Sequence, residues 1–221
     1  LEAEKDLKKL GKELVIIDHH VYDKLDRAHD SKGKILPSSL EQFLKLFRLG
    51  GKRLKKLGFN PRLVKGVGIM DRGYVWALQK AKYTPKEIKQ IIDYQHQLMA
   101  TVRGGNNEKQ KEKIADQAWK YKTWWKGFII IEDNSGIGLR SRISLKIATE
   151  IKKPTPLILN EKKRGFIYVQ ESPYAKVLLK KFGGFTFGSD INWGYRNQRS
   201  KKKVGLSEVK QFLEKQLKTT G

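Results

Sequence analysis

The chain has 221 residues and carries 47 lysines and arginines against 23 aspartates and glutamates, a formal net charge of +24. A hydrophobic fraction of 38% with 10% aromatic residues argues against disorder, and no apolar run reaches the roughly 18 residues that a membrane span requires. The absence of cysteine excludes disulfides, thiolate zinc sites and cysteine nucleophiles, so we expect a cytoplasmic protein.

The first predicted elements are two helices with a strand between them. A helix rich in lysine and glutamate is predicted near residues 4–12. Residues 14–17, Leu-Val-Ile-Ile, are an apolar β-branched run that predicts a buried parallel strand. Ser38, with Glu41 three residues later, predicts a capping box that opens a helix ending at Gly50.

Strand and helix patterns alternate through the rest of the chain. Thr84 and Pro85 predict the start of a helix with an isoleucine-rich face. Beyond a charged segment, we predict strands at 128–131, 157–159 and 166–170 and helices at 139–150, 172–181 and 206–217. The alternation predicts an α/β fold with domains at residues 1–100 and 116–221 and a linker at 101–115.

The excess positive charge favours a polyanionic partner, because basic side chains that neutralise phosphates release condensed counterions. Residues 1–100 carry 21 basic and 12 acidic side chains, and residues 101–221 carry 26 and 11. Basic and aromatic residues interleave at 119–126 and 193–199, as in platforms that stack the bases of single strands. The alternative is that some of these tryptophans pack in the core and the lysines form an ordinary solvated surface.

Histidine and aspartate cluster near the first predicted strand. His19, His20 and His29 lie close together in the sequence, among several aspartates. Asp18 and the histidine pair directly follow the strand, at the carboxyl end where open α/β sheets place their ligands. Imidazole and carboxylate together suit Mn²⁺, Zn²⁺ or Fe²⁺, so we interpret this cluster as a candidate metal site.

Two later segments could also carry chemistry. Asp71 ends an apolar run punctuated by glycines, which suits either a metal ligand or the N-cap of a helix over residues 72–82. Gly183 and Gly184 follow a basic helix, and paired glycines let backbone N–H groups approach a phosphate. Paired glycines are also common in ordinary turns.

The tripeptide Asp18–His19–His20, the later Asp71 and the Gly183–Gly184 turn together resemble the DHH phosphoesterase superfamily, of the RecJ-like exonuclease and nano-RNase type. The resemblance implies an α/β fold made of the C-terminal part of a parallel-sheet DHH domain and a smaller DHHA1-like domain. The family's first two motifs are absent upstream of Asp18, so we expect an N-terminally truncated chain that holds part of an active site.

The resemblance implies a metal-dependent phosphodiesterase that hydrolyses single-stranded DNA or RNA, or short oligonucleotides, at a two-metal site holding Mn²⁺ or Mg²⁺. It implies that His19 and Asp71 ligate metal, that Asp18 supports the metal and catalysis, and that His20 faces the scissile phosphate. It assigns substrate binding to six residues of the second domain: Arg140, Arg142, Lys180, Lys181, Gly183 and Gly184.

The sequence departs from the family pattern at two places in the second domain. Phe185 stands where many relatives carry histidine, and Glu171–Ser172 stands where arginine and serine are expected. The alternative functions are a non-catalytic RecJ-like protein that binds nucleic acid at replication forks and a cyclic-dinucleotide phosphodiesterase. We expect no membrane partner, and the sequence leaves protein partners open.

Overall fold

The computed structural model describes the backbone of residues 2–19, 21–22, 25–103, 108–188 and 191–220, and the side chains of residues 5–19, 27–98, 101, 110–188 and 191–219. Contacts divide the chain into two compact units, Leu1–Arg72 and Gly73–Gly221. This division falls earlier than the linker predicted at residues 101–115, and the domain boundaries stay a prediction. The fold is mixed α/β, which agrees with the predicted fold class.

Short elements make up the first unit: helices α1 (Glu2–Lys9), α2 (Ser39–Leu46), α3 (Gly51–Lys56) and the beginning of α4 (Pro61–Lys80), with strands β1 (Val21–Tyr22) and β2 (Leu25–Asp26). The Ser38 hydroxyl accepts the Glu41 N–H, and the Glu41 carboxylate accepts the Ser38 N–H, so the predicted capping box is confirmed. The helix ends at Leu46, before Gly50, which caps α3.

The buried strand predicted at residues 14–17 is wrong. These residues lie in no helix or strand, and Leu14, Val15 and Ile16 are 36–52% exposed. A β-branched run becomes a buried strand only where neighbouring strands supply hydrogen bonds and other elements cover its faces. In the described part of this unit, β1 and β2 pair antiparallel with each other alone, so the predicted parallel sheet is absent there.

The described part of the second unit contains six α-helices or helix segments: the end of α4, α5 (Pro85–Arg103), α6 (Glu108–Lys120), α7 (Arg140–Lys146), α8 (Ala175–Phe182) and α9 (Leu206–Thr220). Thr84 and Glu87 form a capping box at α5, and the predicted isoleucine face is buried. α6 covers residues 108–115 of the predicted linker, and Ala115 is fully buried. None of the described helices is both long and apolar enough to cross a membrane.

Six strands form the sheet of the second unit: β3 (Thr123–Trp125), β4 (Phe128–Asp133), β5 (Leu157–Glu161), β6 (Phe166–Gln170), β7 (Phe185–Phe187) and β8 (Asn192–Arg196). Their spatial order is β3-β4-β5-β6-β8-β7. The crossover through α7 and the π-helix Ile147–Ile151 returns the chain to the end of the sheet where β4 begins, so β4 and β5 run parallel. The other neighbouring strands pair antiparallel. The three strands predicted in this unit, at 128–131, 157–159 and 166–170, are confirmed, whereas β3, β7 and β8 were not predicted.

Both faces of this sheet are covered. Alternate side chains of β4 enter different cores, with Phe128 and Ile130 on the face that packs against α8 and α9. Ile129 and Ile131 enter the core on the opposite face, beside α6 and α7. A strand buried on both faces needs a continuous apolar run, which is why the sequence pattern identified β4 correctly.

Candidate functional site

The first unit brings together two side chains predicted to bind metal. Nε2 of His19 lies 3.4 Å from Oδ2 of Asp71, and the two side chains are 12% and 44% exposed. The protein therefore surrounds the imidazole while the carboxylate faces solvent. Both atoms could reach one divalent cation, because metal bonds to His nitrogen and carboxylate oxygen are each about 2.0–2.2 Å long.

The N-terminus of α2 orients His19. The Ser39 N–H donates to Nδ1 of His19 at 3.2 Å, and Oγ of Ser39 lies 2.9 Å from the same nitrogen. Oδ1 of Asp18 accepts the His19 N–H at 2.8 Å, and Nε2 of Gln42 donates to the Asp18 carbonyl at 2.8 Å. These hydrogen bonds hold the backbone at residues 18 and 19 against the first turn of α2.

The two tautomers of the His19 ring satisfy different parts of these contacts, because Nδ1 cannot accept the Ser39 N–H and donate to Oγ of Ser39 at the same time. With the proton on Nε2, Nδ1 accepts from the Ser39 N–H and Nε2–H points to Asp71. With the proton on Nδ1, the ring donates to Oγ of Ser39, and the lone pair of Nε2 is directed toward Asp71, where a cation could bind. Ser39 can therefore support either the metal-free or the metal-ligating form of the ring.

Asp71 lies in the helical part of α4 that precedes a kink at Tyr74, where φ is 61° and ψ is −155°, so its predicted alternative role as the N-cap of the helix that follows is wrong. One turn earlier, Gly68 allows α2 to approach α4 closely. A Cβ atom at Gly68 would lie 2.9 Å from Cγ of Glu41 and 3.0 Å from Oγ of Ser38. Nε of Arg72 also lies 3.3 Å from Oε2 of Glu41. The same contacts place the start of α2, and with it His19, beside Asp71.

Sequence reasoning missed Ser39 and Gly68 as parts of this site. A signal for Gly68 was available, because a glycine one helical turn before a candidate ligand permits a second helix to approach. Ser39 carried no signal of its own, since it follows a capping serine and hydroxyl residues are frequent at that position.

The metal-ligand set in the described chain is incomplete. His20 lies outside the described residues, so its predicted role stays a prediction. Oδ1 of Asp30 accepts the N–H groups of Lys32 and Lys34, both at 2.9 Å, so this aspartate closes a turn. Across the described ranges, no group of three or more His, Asp and Glu side chains could hold a metal ion. The His19–Asp71 pair fits two positions of a coordination shell that needs further ligands.

The second unit places Arg140 and Arg142 in different surroundings. The guanidinium of Arg140 lies 4.5 Å from the ring centre of Phe187 and 5.6 Å from that of Tyr168. The Arg142 side chain is 6% exposed, and it lies 3.3 Å from Nδ1 of His96 and 3.4 Å from Oε2 of Glu112. Arg142 is therefore engaged within the protein, whereas Arg140 presents its guanidinium on an aromatic surface.

Gly183 and Gly184 form a turn that the fold requires. Gly183 ends α8 with φ of 76°, and its N–H donates to the Leu179 carbonyl. Gly184 has φ of 94°, and a Cβ atom there would lie 2.3 Å from the Gly194 carbonyl oxygen. Steric and conformational demands thus explain both glycines. The Gly183 N–H is already used, so it cannot serve the predicted phosphate site without breaking the end of the helix.

Lys180 and Lys181 lie exposed in the last turn of α8. Neither lysine pairs with any carboxylate among the described residues. Their ammonium groups add positive charge at a helix C-terminus, where cations are favoured. Their predicted role in substrate binding stays a prediction.

The proposed tryptophan platforms need correction. Trp193 is fully buried, and its indole N–H donates to the Gly183 carbonyl at 2.8 Å. Trp119 is 6% exposed and donates to Oε2 of Glu150 at 2.6 Å. Both are core residues, because a large ring with one donor can be buried when that donor finds an acceptor. Trp124 and Tyr121, at 58% and 70% exposed, remain accessible for stacking.

Two carboxyl groups of the second unit whose pKa is raised were missed from the sequence, the buried Glu161 and the partly buried Glu171. Burial raises the pKa of Glu161, while the Leu139 N–H at 2.6 Å and the Arg164 guanidinium lower it. Burial raises the pKa of Glu171 from 4.5 to about 7, against a lowering effect of the Trp76 indole. Glu171 also adopts a left-handed backbone, with φ of 52°. Neither burial nor backbone strain at a glutamate has a local sequence signal.

No family model matches the chain, and no curated protein matches it. Among solved structures, the chain is similar to the crystal structure of an exopolyphosphatase-related protein from Bacteroides fragilis, with 13% sequence identity and a TM-score of 0.42. The match covers 90% of this chain, which spans 62% of the length of that protein. A similarity this low does not establish a shared fold.

Proposed function

We propose that the chain is a metal-dependent phosphodiesterase acting on single-stranded nucleic acid or short oligonucleotides, with His19 and Asp71 as metal ligands. The separation of 3.4 Å between Nε2 of His19 and Oδ2 of Asp71 carries this proposal. Imidazole and carboxylate suit Mn²⁺, and a bound divalent cation would stabilise the negative charge that develops on a phosphoryl group during hydrolysis.

The residues around the pair have distinct tasks in this proposal. Ser39 holds the Nδ1 proton of His19, so that the lone pair of Nε2 is available for the cation. Asp18 and Gln42 fix the backbone that carries the ring. Asp71 supplies a negative charge at a position open to solvent, where a phosphate and its counterion could enter.

Charge supports nucleic acid as the substrate class. The net charge of +24 favours polyanions through counterion release, and the excess is larger after residue 100. The second candidate function is binding without hydrolysis. Binding without hydrolysis is favoured by the small number of metal ligands, because the described residues supply only His19 and Asp71 at this site.

Electron paramagnetic resonance of added Mn²⁺ tests the proposal directly, because hexa-aqua Mn²⁺ loses its sharp signal on binding. We expect the protein to bind Mn²⁺ and to cleave a 5′-labelled oligothymidylate in its presence. His19→Ala and Asp71→Asn each remove a ligand, so the Mn²⁺ affinity should fall at least about 10-fold and cleavage should stop.

His29→Ala is the matched control, since His29 is a histidine of the same unit whose backbone forms a β-bridge with Ile35. This variant should bind Mn²⁺ and cleave as the parent does. Unchanged Mn²⁺ affinity in both ligand variants would overturn the metal assignment. Mn²⁺ binding at the pair without cleavage would favour the second candidate function.

A further inference from the structure

Residues 172–207 contain eight basic side chains and one acidic side chain, an imbalance beyond that of the chain as a whole. The fold gathers part of this charge in one exposed segment, residues 199–203, which we call the basic loop. Its four cations are Arg199, Lys201, Lys202 and Lys203. No carboxylate among the described residues forms an ion pair with any of them.

Several lysines elsewhere in the second unit form ion pairs. Lys89 pairs with Asp93 at 2.7 Å, Lys126 with Glu214 at 2.6 Å, and Lys162 with Glu132 at 2.8 Å. An ordinary solvated surface intersperses charges of both signs in this way. The basic loop concentrates four cations within five residues, and none of them has such a pair among the described residues.

The protein holds the basic loop in a defined shape. The Asn197 side chain bridges the base of the loop, since its Nδ2 donates to the Val204 carbonyl at 2.9 Å and its Oδ1 accepts the Val204 N–H at 2.7 Å. The Tyr195 hydroxyl donates to the Lys202 carbonyl at 2.7 Å, and Nζ of Lys203 donates to the Asn197 carbonyl at 2.7 Å. Four hydrogen bonds therefore keep like charges close together.

The basic loop also reaches the end of α8. Nζ of Lys202 lies 5.7 Å from the ring centre of Phe182, the last residue of that helix. Lys180 and Lys181 lie in the same final turn. The loop and the helix end thus contribute six cations to neighbouring parts of the surface.

Like charges held together raise the free energy of the native state, and a polyanion relieves that repulsion by replacing it with attraction. We propose that the basic loop and the end of α8 bind the phosphodiester backbone of a nucleic acid strand. The choice of nucleic acid rests on the proposed function. The lysines of the loop, Lys201–Lys203, take no part in the His19–Asp71 pair that carries the proposed function.

Fluorescence anisotropy with labelled oligothymidylate tests this surface. The measurement is made in EDTA over a salt series, so it is independent of metal binding and hydrolysis. Replacing Lys201, Lys202 and Lys203 with serine should weaken binding about 10- to 100-fold and reduce the slope of log K against log[salt] by about 2, since each single-strand phosphate contact contributes about 0.7.

The matched control replaces Lys89, Lys126 and Lys162 with serine, which lowers the net charge equally but removes paired lysines. Its affinity and salt slope should stay close to those of the parent. An equal loss of oligothymidylate affinity in both triple variants, or no loss of affinity in either, would overturn the proposal. Binding to phosphatidylserine vesicles without binding to oligothymidylate would also overturn it.

Asn197→Ala separates the shape of the loop from its charge. The variant keeps every cation but loses both hydrogen bonds to Val204. We expect a several-fold loss of affinity with an almost unchanged salt slope. If the basic loop binds and Mn²⁺-dependent cleavage is absent, this inference stands and the proposed hydrolysis fails. If Mn²⁺-dependent cleavage is present while the triple serine variant binds oligothymidylate normally, the proposed hydrolysis stands and this inference fails.

Discussion

The two units differ in how they hold their side chains. In the first unit α2 buries none of its own residues, and the buried hydrophobic side chains described there are Leu54, Ile69 and Met70. The second unit encloses a six-stranded sheet between two apolar cores. The candidate metal ligands therefore lie where hydrogen bonds and caps fix the geometry, whereas apolar burial stabilises the sheet.

The largest expected effect tests the packing of the sheet. Trp193 is fully buried and stacks on Tyr195 with ring centres 6.0 Å apart. Trp193→Ala should lower the free energy of unfolding by about 3–5 kcal/mol, because it leaves a cavity and an unpaired Gly183 carbonyl. Guanidinium denaturation followed by far-UV circular dichroism measures the change.

Trp124→Ala is the matched control for this substitution, since Trp124 is 58% exposed on the edge strand β3. Its free energy of unfolding should stay within about 0.5 kcal/mol of the parent. Similar losses in the two variants would show that burial in the sheet is not what distinguishes the second unit.

A second effect concerns the pH dependence of stability. Burial raises the pKa of Glu171 to about 7 in the folded chain, so the native state retains this proton more tightly than the unfolded chain does. Its contribution to stability is therefore fully present below pH of about 4.5 and is lost as the pH rises through about 7. Glu171→Gln should remove this dependence and stabilise the protein by up to about 3 kcal/mol at alkaline pH.

Denaturation at a series of pH values measures this effect. The left-handed backbone at position 171 is equally unfavourable for Glu and Gln, so the substitution isolates the charge. Glu132→Gln, at an exposed site, is the control. A Glu171→Gln variant that follows the parent's pH profile would show that the Glu171 carboxyl is not the source of the dependence.

The smallest expected effect on stability comes from a substitution at Gly68, which tests the packing of α2 against α4 in the first unit. Gly68→Ala introduces a Cβ atom 2.9 Å from Cγ of Glu41 and 3.0 Å from Oγ of Ser38, so the capping box at the start of α2 must shift. We expect a loss of about 1–2 kcal/mol in the free energy of unfolding. Because α2 carries Ser39 beside His19, Mn²⁺ affinity should also fall.

Gly51→Ala is the control in the same unit, since its Cβ atom would meet nothing closer than Cβ of Pro61 at 3.8 Å. Thermal denaturation and the Mn²⁺ resonance signal follow both variants. Normal Mn²⁺ binding by Gly68→Ala would mean that the approach of α2 to α4 does not position the site.

Much of the fold could be predicted where the determining contacts are local. The capping boxes at Ser38 and Thr84 depend on residues three positions apart, and both form as expected. The run at 128–131 predicted a strand, since a continuous apolar segment of that length suits a strand covered on both faces. The tripeptide Asp18–His19–His20 and the later Asp71 predicted His19 and Asp71 as metal ligands, and the two side chains lie close together.

The sequence predictions failed where the structure of a segment depends on contacts with residues far away in the sequence. The run at 14–17 has the composition of a strand, yet no neighbouring strand pairs with it in the described chain. Trp193 was interpreted as a stacking surface, because its basic neighbours in sequence do not reveal that β6, β7 and α8 enclose it.

The sequence alone determined the α/β class, the capped helices, the principal strands and the excess of positive charge. The tertiary structure decided that His19 lies beside Asp71, that Asn197 bridges the base of the basic loop, and that partial burial raises the pKa of Glu171. The physical reason is range: caps and apolar periodicity act over a few residues. A metal-ligand pair, a bridging side chain and a desolvated carboxyl depend on groups that only folding brings together.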